Sequence, residues 1–233
     1  MVRELVKISV RELVEFILRS GDIDNRVGGR KDAESMLAGA RIHRKIQRSM
    51  GSDYHAEVSL KHLIPMENFD LQIEGRADGV IDGNPVTIDE IKGVYKSLEY
   101  LNEPVRVHLA QAKCYAYIYG IQNQKNEMDI QMTYVNLDTE QKRYFYERYT
   151  IEELSEWFEM LVLEYEKWAE FHYEWKKLRN ASIKEVQFPY EYRDGQKELA
   201  GSVYRSILRE KRLFIQAPTG TGKTLAALLP SVK

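Results

Sequence analysis

The sequence predicts an α/β protein in which groups of strands alternate with helices, and three observations predict it. Apolar residues recur at helical spacing in 10–20, 31–49, 104–121 and 151–180. Alternating apolar and polar residues run through 54–64, 69–82 and 85–95 and return at 128–137 and 142–150. The resulting order is helix, strands, helix, strands, helix, the pattern of an α/β core.

A short strand leads. Ser9 followed three residues later by Glu12 forms a capping box ahead of VRELVEFILRS, and Gly21 ends that helix. The next helix is KDAESMLAGARIHRKIQRS, with Met36, Leu37, Ala40 and His43 on or near one side. YHAEVSLKHLI, FDLQIEGRADGVID and PVTIDEIKGVY follow as an antiparallel meander, separated by PMEN and by the hairpin-type turn DGN. Pro104 opens PVRVHLAQAKCYAYIYGI, a helix with an apolar, tyrosine-rich face. MDIQMTYVNL and KRYFYERYT are two strands about the turn DTEQ. A long helix, 151–180, then carries glutamates at its start and Lys and Arg at its end, matching the macrodipole.

A boundary near 180–187 separates a domain of residues 1–180 from a second segment, 181–233. That segment reads helix, strand (RLFIQ), glycine-rich loop, helix, the opening unit of a nucleotide-binding domain.

With 43% hydrophobic and 30% charged residues, disordered and fibrous classes are excluded. The net charge of −2 leaves nucleic acid open as a partner, because a local basic groove can coexist with acidic faces elsewhere. Cys114 is the only cysteine, which excludes an internal disulfide, a zinc ribbon and a cysteine-held iron–sulfur cluster. The N-terminal apolar run carries charges throughout and lacks the end of a signal peptide, and no apolar run reaches membrane-spanning length. A cytoplasmic protein with no membrane partner is the expectation.

The stretch VTIDEIKGVY places Glu90 and Lys92 on one face of a half-buried strand, flanked by Val86 and Ile88. The DGN turn brings Asp78, in GRADG, beside them. Two carboxylates this close repel unless a cation lies between them. A divalent ion with hard oxygen ligands answers that need, and an adjacent lysine can orient a water or stabilise charge developing on a phosphate.

Asp78 followed after a hairpin by Glu90-Ile91-Lys92 resembles the PD-(D/E)xK nuclease superfamily. His43 in GARIHRKIQ on the helix before, and Gln111 and Tyr115 in QAKCYAYIYG on the helix after, resemble the QxxxY-bearing RecB-type branch, which includes CRISPR-associated exonucleases and RecB/AddAB nuclease domains. The motifs occupy about Gly39 to Gly120. The resemblance implies a restriction-endonuclease-like mixed sheet flanked by helices. It implies Mg²⁺ or Mn²⁺ held by His43, Asp78, Glu90 and the Ile91 carbonyl, with Asp78, Glu90 and Lys92 catalytic. Gln111 and Tyr115 would line the groove for DNA, single-stranded or end-containing. Ala77 stands where the superfamily commonly has proline, a departure this branch tolerates.

Blander readings exist for each residue. Glu90 and Lys92 also fit an exposed ion pair of little worth, and Gln111 and Tyr115 fit ordinary helix surface and core. His55, His62, His108 and His172 read as structural histidines. His108 and Arg76 lie close enough in sequence to the motifs to reach the same groove.

APTGTGKT, Ala217 to Thr224, follows the apolar RLFIQ and precedes LAALLP, the context of a Walker A loop. Gly220, Thr221, Gly222, Lys223 and Thr224 would then cradle the phosphates of ATP, with Thr224 on Mg²⁺. The preceding FPYEYRDGQKELAG resembles the Q-motif region of XPD/DinG-type superfamily two helicases, which implies adenine contacts from Gln196 and Arg193, with Tyr192 near the ring. A Walker B acid and an arginine finger do not occur before residue 233, so the resemblance implies the front part of a longer helicase whose C-terminal segments are missing here. The combined expectation is a metal-dependent nuclease joined to an ATP-dependent DNA helicase of repair or recombination. A nuclease fold serving only as a DNA-binding platform is the alternative, and a third is an ATP-binding module with an accessory N-terminal part.

Overall fold

The computed structural model describes residues 3–20 and 30–232, and the side chains of 30–36 are not among those described. Gly21 and the side chain of Met36 therefore lie outside the described residues. By internal contacts the chain divides into two compact units, Met1–Ala169 and Glu170–Lys233.

The first unit holds β1 (Glu4–Ser9), α1 (Val10–Ile17), α2 (Arg30–Ser49), β2 (Tyr54–Pro65), β3 (Phe69–Ile81), β4 (Val86–Val94), a 3₁₀ turn (Leu98–Tyr100), α3 (Arg106–Gln122), β5 (Glu127–Asn136) and β6 (Lys142–Thr150). It closes with most of α4 (Ile151–Glu185), which continues into the second unit. The capping box at α1 forms as expected: Glu12 N donates to Ser9 Oγ at 3.1 Å and Ser9 N to Glu12 Oε2 at 3.2 Å. Thr150 and Glu153 make a second one at the start of α4.

The six strands form one mixed sheet in the order β1-β3-β4-β5-β6, with β2 also paired to β3. β2 occupies one edge of β3, from Tyr54↔Ile81 to Pro65↔Asp70. A strand has two edges, so β1 and β4 share the other. β1 runs parallel beside Phe69–Glu74, and β4 runs antiparallel beside Gly79–Ile81 only. Residues 75–78 fall between these two partners, and along that edge the ladder is interrupted. β4 continues in parallel with β5 from Val86↔Met128 to Val94↔Asn136, and β6 pairs antiparallel with β5.

The two faces of β4 belong to different layers. Ile91 packs with Ile42 and Ile46 of α2 and with Val135. Glu90 and Lys92 face the α3 side, where Gln111 meets Lys92. α3 is buried on most of its circumference, through Ala110, Ala112, Cys114, Ala116, Ile118 and Gly120, and so has almost no polar face. Leu13, Leu71, Ile73, Ile88, Ile118, Met128 and Ile130 are fully buried, each worth roughly 1.5–3 kcal/mol.

The face expected for α2 needs correction. Leu37 is 71% exposed and Ala40 is exposed, while Ile42, Ile46 and Met50 form the seam. The i, i+4, i+8 spacing of these three decides the contact, and His43 stands at the edge of that seam rather than within it.

The second unit contains the end of α4, then α5 (Gln196–Leu208) and α6 (Lys223–Val232). The long helix runs to Glu185, past the expected end at Asn180. The expected strand RLFIQ is not a strand: residues 211–218 are irregular, and Leu213, Phe214 and Ile215 are exposed, Phe214 at 92%. The physical reason is the absence of a neighbour, since no described residue pairs with this segment and a lone strand leaves its backbone groups unsatisfied.

Candidate active site

The site grows from the interruption in the ladder of β3. Asp78 lies on β3 next to the point where β4 departs, and its Oδ2 accepts a hydrogen bond from the Ile91 backbone N at 2.8 Å. The carboxylate thus fills the place of a strand carbonyl. Its Oδ1 meets His43 Nδ1 of α2 at 3.3 Å. Gln47, one turn beyond His43, donates to the Asp78 carbonyl at 2.9 Å and to Glu57 Oε1 at 3.1 Å.

On the other face of β4, Lys92 Nζ stands 2.7 Å from Glu90 Oε1 and donates to Gln111 Oε1 at 3.0 Å. Gln111 in turn reaches the Tyr115 hydroxyl at 3.5 Å. Glu90 is 1% exposed, which removes the reading of an exposed surface pair. Tyr115 is buried against Gly75, where an added Cβ would lie 2.7 Å from the hydroxyl oxygen and 2.9 Å from Cε1. The glycine is what lets the ring lie flat against the strand.

Two adjacent carboxylates on β4 differ in kind. Asp89, fully buried on the opposite face, accepts from Tyr54 Oη at 3.1 Å, Gln131 Nε2 at 3.1 Å and Thr133 Oγ1 at 2.5 Å. It is satisfied on both oxygens and serves the fold. Glu90 has Lys92 on one oxygen, while Oε2 is buried without a hydrogen-bond partner among the described residues. An interior carboxylate oxygen left unpaired is costly, and it points to a group that completes it.

Burial pushes the Glu90 carboxyl up to about 8, with Lys92 opposing and the Asp78 charge adding to the rise. For His43, burial acts downward as the largest single influence, but the Asp78 hydrogen bond and charge, with Glu90, outweigh it and leave the imidazole raised. Burial and then the Glu90 charge raise the Tyr115 phenol. His108 is pushed down to about 4 by burial and then by Lys92.

A pocket of about 850 Å³ opens over these groups, lined by His43, Asp78, Ile91, Lys92 and Gln111, and also by Gln47, Glu57 and His108. Arg11, Arg44 and Arg76 add positive charge to its walls, with Arg11 bonded to Glu15 at 2.7 Å and Arg76 to Glu57 at 2.5 Å. Of the sequence-derived set, His43, Asp78, Ile91, Lys92 and Gln111 line this pocket, while Glu90 and Tyr115 lie behind it, joined to it through Lys92 and Gln111.

Among the described residues no group of three or more His, Cys, Asp or Glu side chains stands at metal-holding spacing. Glu90 Oε1 is paired with Lys92. The donor set nonetheless fits a divalent cation in chemistry: an imidazole touching one carboxylate, and a second carboxylate with an unmatched oxygen.

Gln47 and Glu57 were not expected. Gln47 was legible at i+4 from His43 on one helix face. Glu57 has a positive φ of 60° in mid-strand, which no sequence pattern announces. The remaining histidines have structural settings: His55 meets Asp82 at 2.8 Å, His62 packs edge-on against Tyr117 and Phe158, and His172 packs against Phe171.

In the second unit Gly220 and Gly222 have φ of 80° and 71°, conformations that favour glycine. Gln196, 5% exposed, donates to the Gly222 carbonyl at 3.1 Å, and its Oε1 accepts from the Arg193 backbone N at 3.1 Å. Arg193 also donates to the Gly220 carbonyl. Lys223 Nζ folds back on the Ala217 carbonyl at 2.9 Å, Thr221 Oγ1 bonds the Pro218 carbonyl at 3.0 Å, and Thr224 is exposed in the first turn of α6. The segments expected to hold a nucleotide are thus tied together by side chain to backbone bonds.

No protein-family model and no curated protein matches the chain. Similar solved structures include SSO0001, at 18% identity over 70% of this chain and 78% of that one, TM-score 0.46. The alkaline exonuclease LHK-Exo in complex with dAMP is similar at 15% identity over 76% of this chain and 94% of that one, TM-score 0.47. A further structure of that exonuclease, from Laribacter hongkongensis, gives 13% identity over the same shares, TM-score 0.42. At TM-scores below 0.5 these likenesses do not say what this chain acts on. No described helix is long and apolar enough to cross a membrane.

Proposed function

We propose that the first unit is a metal-dependent nuclease that hydrolyses phosphodiester bonds of DNA. The observation that carries this is Glu90: a buried carboxylate with one oxygen on Lys92 and the other unmatched, one strand away from the Asp78–His43 pair. Mg²⁺ or Mn²⁺ held by His43, Asp78, Glu90 and the Ile91 carbonyl would supply Lewis-acid polarisation of the phosphate and a more acidic bound water.

The chain's own groups do the rest. Lys92, fixed between Glu90 and Gln111, presents its ammonium to a water or to a phosphate oxygen gaining charge. Gln111 holds that ammonium in place, and Tyr115 backs Gln111. The arginines of the pocket wall attract the strand's phosphates.

Glu90→Ala and Lys92→Ala should each abolish Mg²⁺-dependent cleavage of single-stranded DNA while circular dichroism stays that of the parent. Cleavage retained in both variants overturns the proposal. A nuclease fold that only holds DNA would bind the strand yet give no Mn²⁺ heat by calorimetry.

The second unit, on the same footing, is the ATP-binding start of a helicase-nuclease of DNA repair or recombination. The supporting observation is Gln196 buried on the carbonyl of Gly222. Lys223→Ala should remove binding of a fluorescent ATP analogue, and unchanged binding would sink this part alone.

A further inference from the structure

Beside the active-site pocket lies a second cleft, of about 930 Å³, whose walls are mainly apolar. Gly93 lines both, and Tyr134 of the second cleft bonds through its hydroxyl to His108 Nδ1 of the first at 3.1 Å. The two spaces are therefore neighbours, with Gly93 and the Tyr134–His108 pair on their common wall. Tyr95 and Tyr100 stand in the second cleft 50% and 84% exposed, with Lys96 beside them.

These rings are carried on a braced backbone. Arg143 of β6 donates to the Leu98 carbonyl at 2.7 Å and the Glu99 carbonyl at 3.3 Å, and Ser97 Oγ accepts from Glu99 N at 3.4 Å. Leu98 is buried beneath, and Asn136 Nδ2 donates to the carbonyls of Tyr95 and Lys96 at 3.4 and 3.2 Å. A solvent-exposed aromatic on a turn fixed from below presents area for stacking at little ordering cost.

We propose that this cleft is a nucleobase subsite: an unstacked base flanking the phosphate at Lys92 lies against the rings of Tyr100 and Tyr95. The proposal rests on the nuclease reading and sharpens its substrate to a single strand, since bases paired in a duplex do not offer a free face to the tyrosines. Lys96 adds a charge for the adjoining phosphate.

The test uses the full chain with Ca²⁺ in place of Mg²⁺ and single-stranded oligonucleotides carrying 2-aminopurine at successive positions. One position should show quenching, and Tyr100→Ala should remove it and weaken binding about ten-fold, the scale of one base–aromatic stack. Tyr100→Phe should retain both. An abasic nucleotide at that position should make wild type and Tyr100→Ala equal. Because Tyr100 is 84% exposed, its truncation leaves the core untouched. Quenching without Mg²⁺-dependent cleavage keeps the subsite and removes the nuclease reading. Cleavage with no quenching at any position, or with unchanged affinity in Tyr100→Ala, removes the subsite alone. No nucleic-acid binding at all overturns both, and leaves the cleft to an occupant of another class.

Discussion

Gly75→Ala is the most informative single perturbation of the site, because it adds one methyl group where the strand and the Tyr115 ring already touch. The new Cβ would lie 2.7 Å from the phenolic oxygen, 2.9 Å from Cε1 and 3.2 Å from Cζ. Tyr115 is 3% exposed and cannot swing into solvent. Overpacking of this kind costs about 1–3 kcal/mol. The loss of glycine freedom in the unfolded chain returns at most about 1 kcal/mol. The net expectation is a destabilisation of up to about 3 kcal/mol, or a fall in Tm of up to roughly 12 °C at about 2–4 °C per kcal/mol for a unit of this size. Displacing the ring also loosens Gln111, which positions Lys92, so kcat for cleavage should drop by about 10²-fold for a shift near 1 Å. Scanning calorimetry on Gly75→Ala, Tyr115→Ala and the double variant closes a cycle. The double variant should be more stable than the sum of the singles by more than about 1 kcal/mol, since the new methyl enters the space the ring vacates. Additivity within about 0.5 kcal/mol, the figure for independent sites, would refute the reasoning.

Three further outcomes are expected. Thr133→Val takes a hydrogen bond from the buried Asp89 and should cost roughly 1–3 kcal/mol by denaturant titration with cleavage unaltered; a parallel loss of cleavage would place Asp89 in the chemistry. Phe158→Ala removes a ring stacked 4.4 Å from Tyr117 in the core and should cost about 3–5 kcal/mol; a cost below about 1 kcal/mol would mean that the α3–α4 contact is not part of the core. His62 and His108 are both held below the ordinary value of 6.5, each first by burial. The folded state therefore accepts their neutral forms. Their stabilisation is fully present above about pH 6.5 and is lost as pH falls through the folded values, about 4 for His108. His62→Gln should flatten the decline in Tm between about pH 7.5 and about pH 5, and a steeper decline would contradict the sign.

The helices and strands of the first unit were legible because their signals are local: capping residues, alternation, and the spacing of apolar side chains. The seam of α2 was misplaced because helical spacing alone does not tell which of two adjacent stripes meets a sheet. Leu37 and Ala40 are as regular in sequence as Ile42 and Ile46, and only the position of Ile91 and Val135 decides between them. RLFIQ carries a strand's composition, but a strand is a property of pairs, and among the described residues it has no partner.

At the site, residue types were readable and their pairing was not. That Glu90 and Lys92 share a face follows from the pleat. That Glu90 keeps one oxygen unmatched, or that Gln47 ties Asp78 to Glu57, depends on contacts between residues far apart in the chain.

The contrast between Asp89 and Glu90 sets a limit on how this chain can change. Covalent neighbours, they project into separate compartments, one that matches both oxygens of its acid and one that matches a single oxygen. Losing or gaining one residue between Val86 and Asp89 would exchange their destinations, because the pleat has a period of two. Surface turns can lengthen or shorten without touching this arithmetic, whereas the phase of β4 admits no drift.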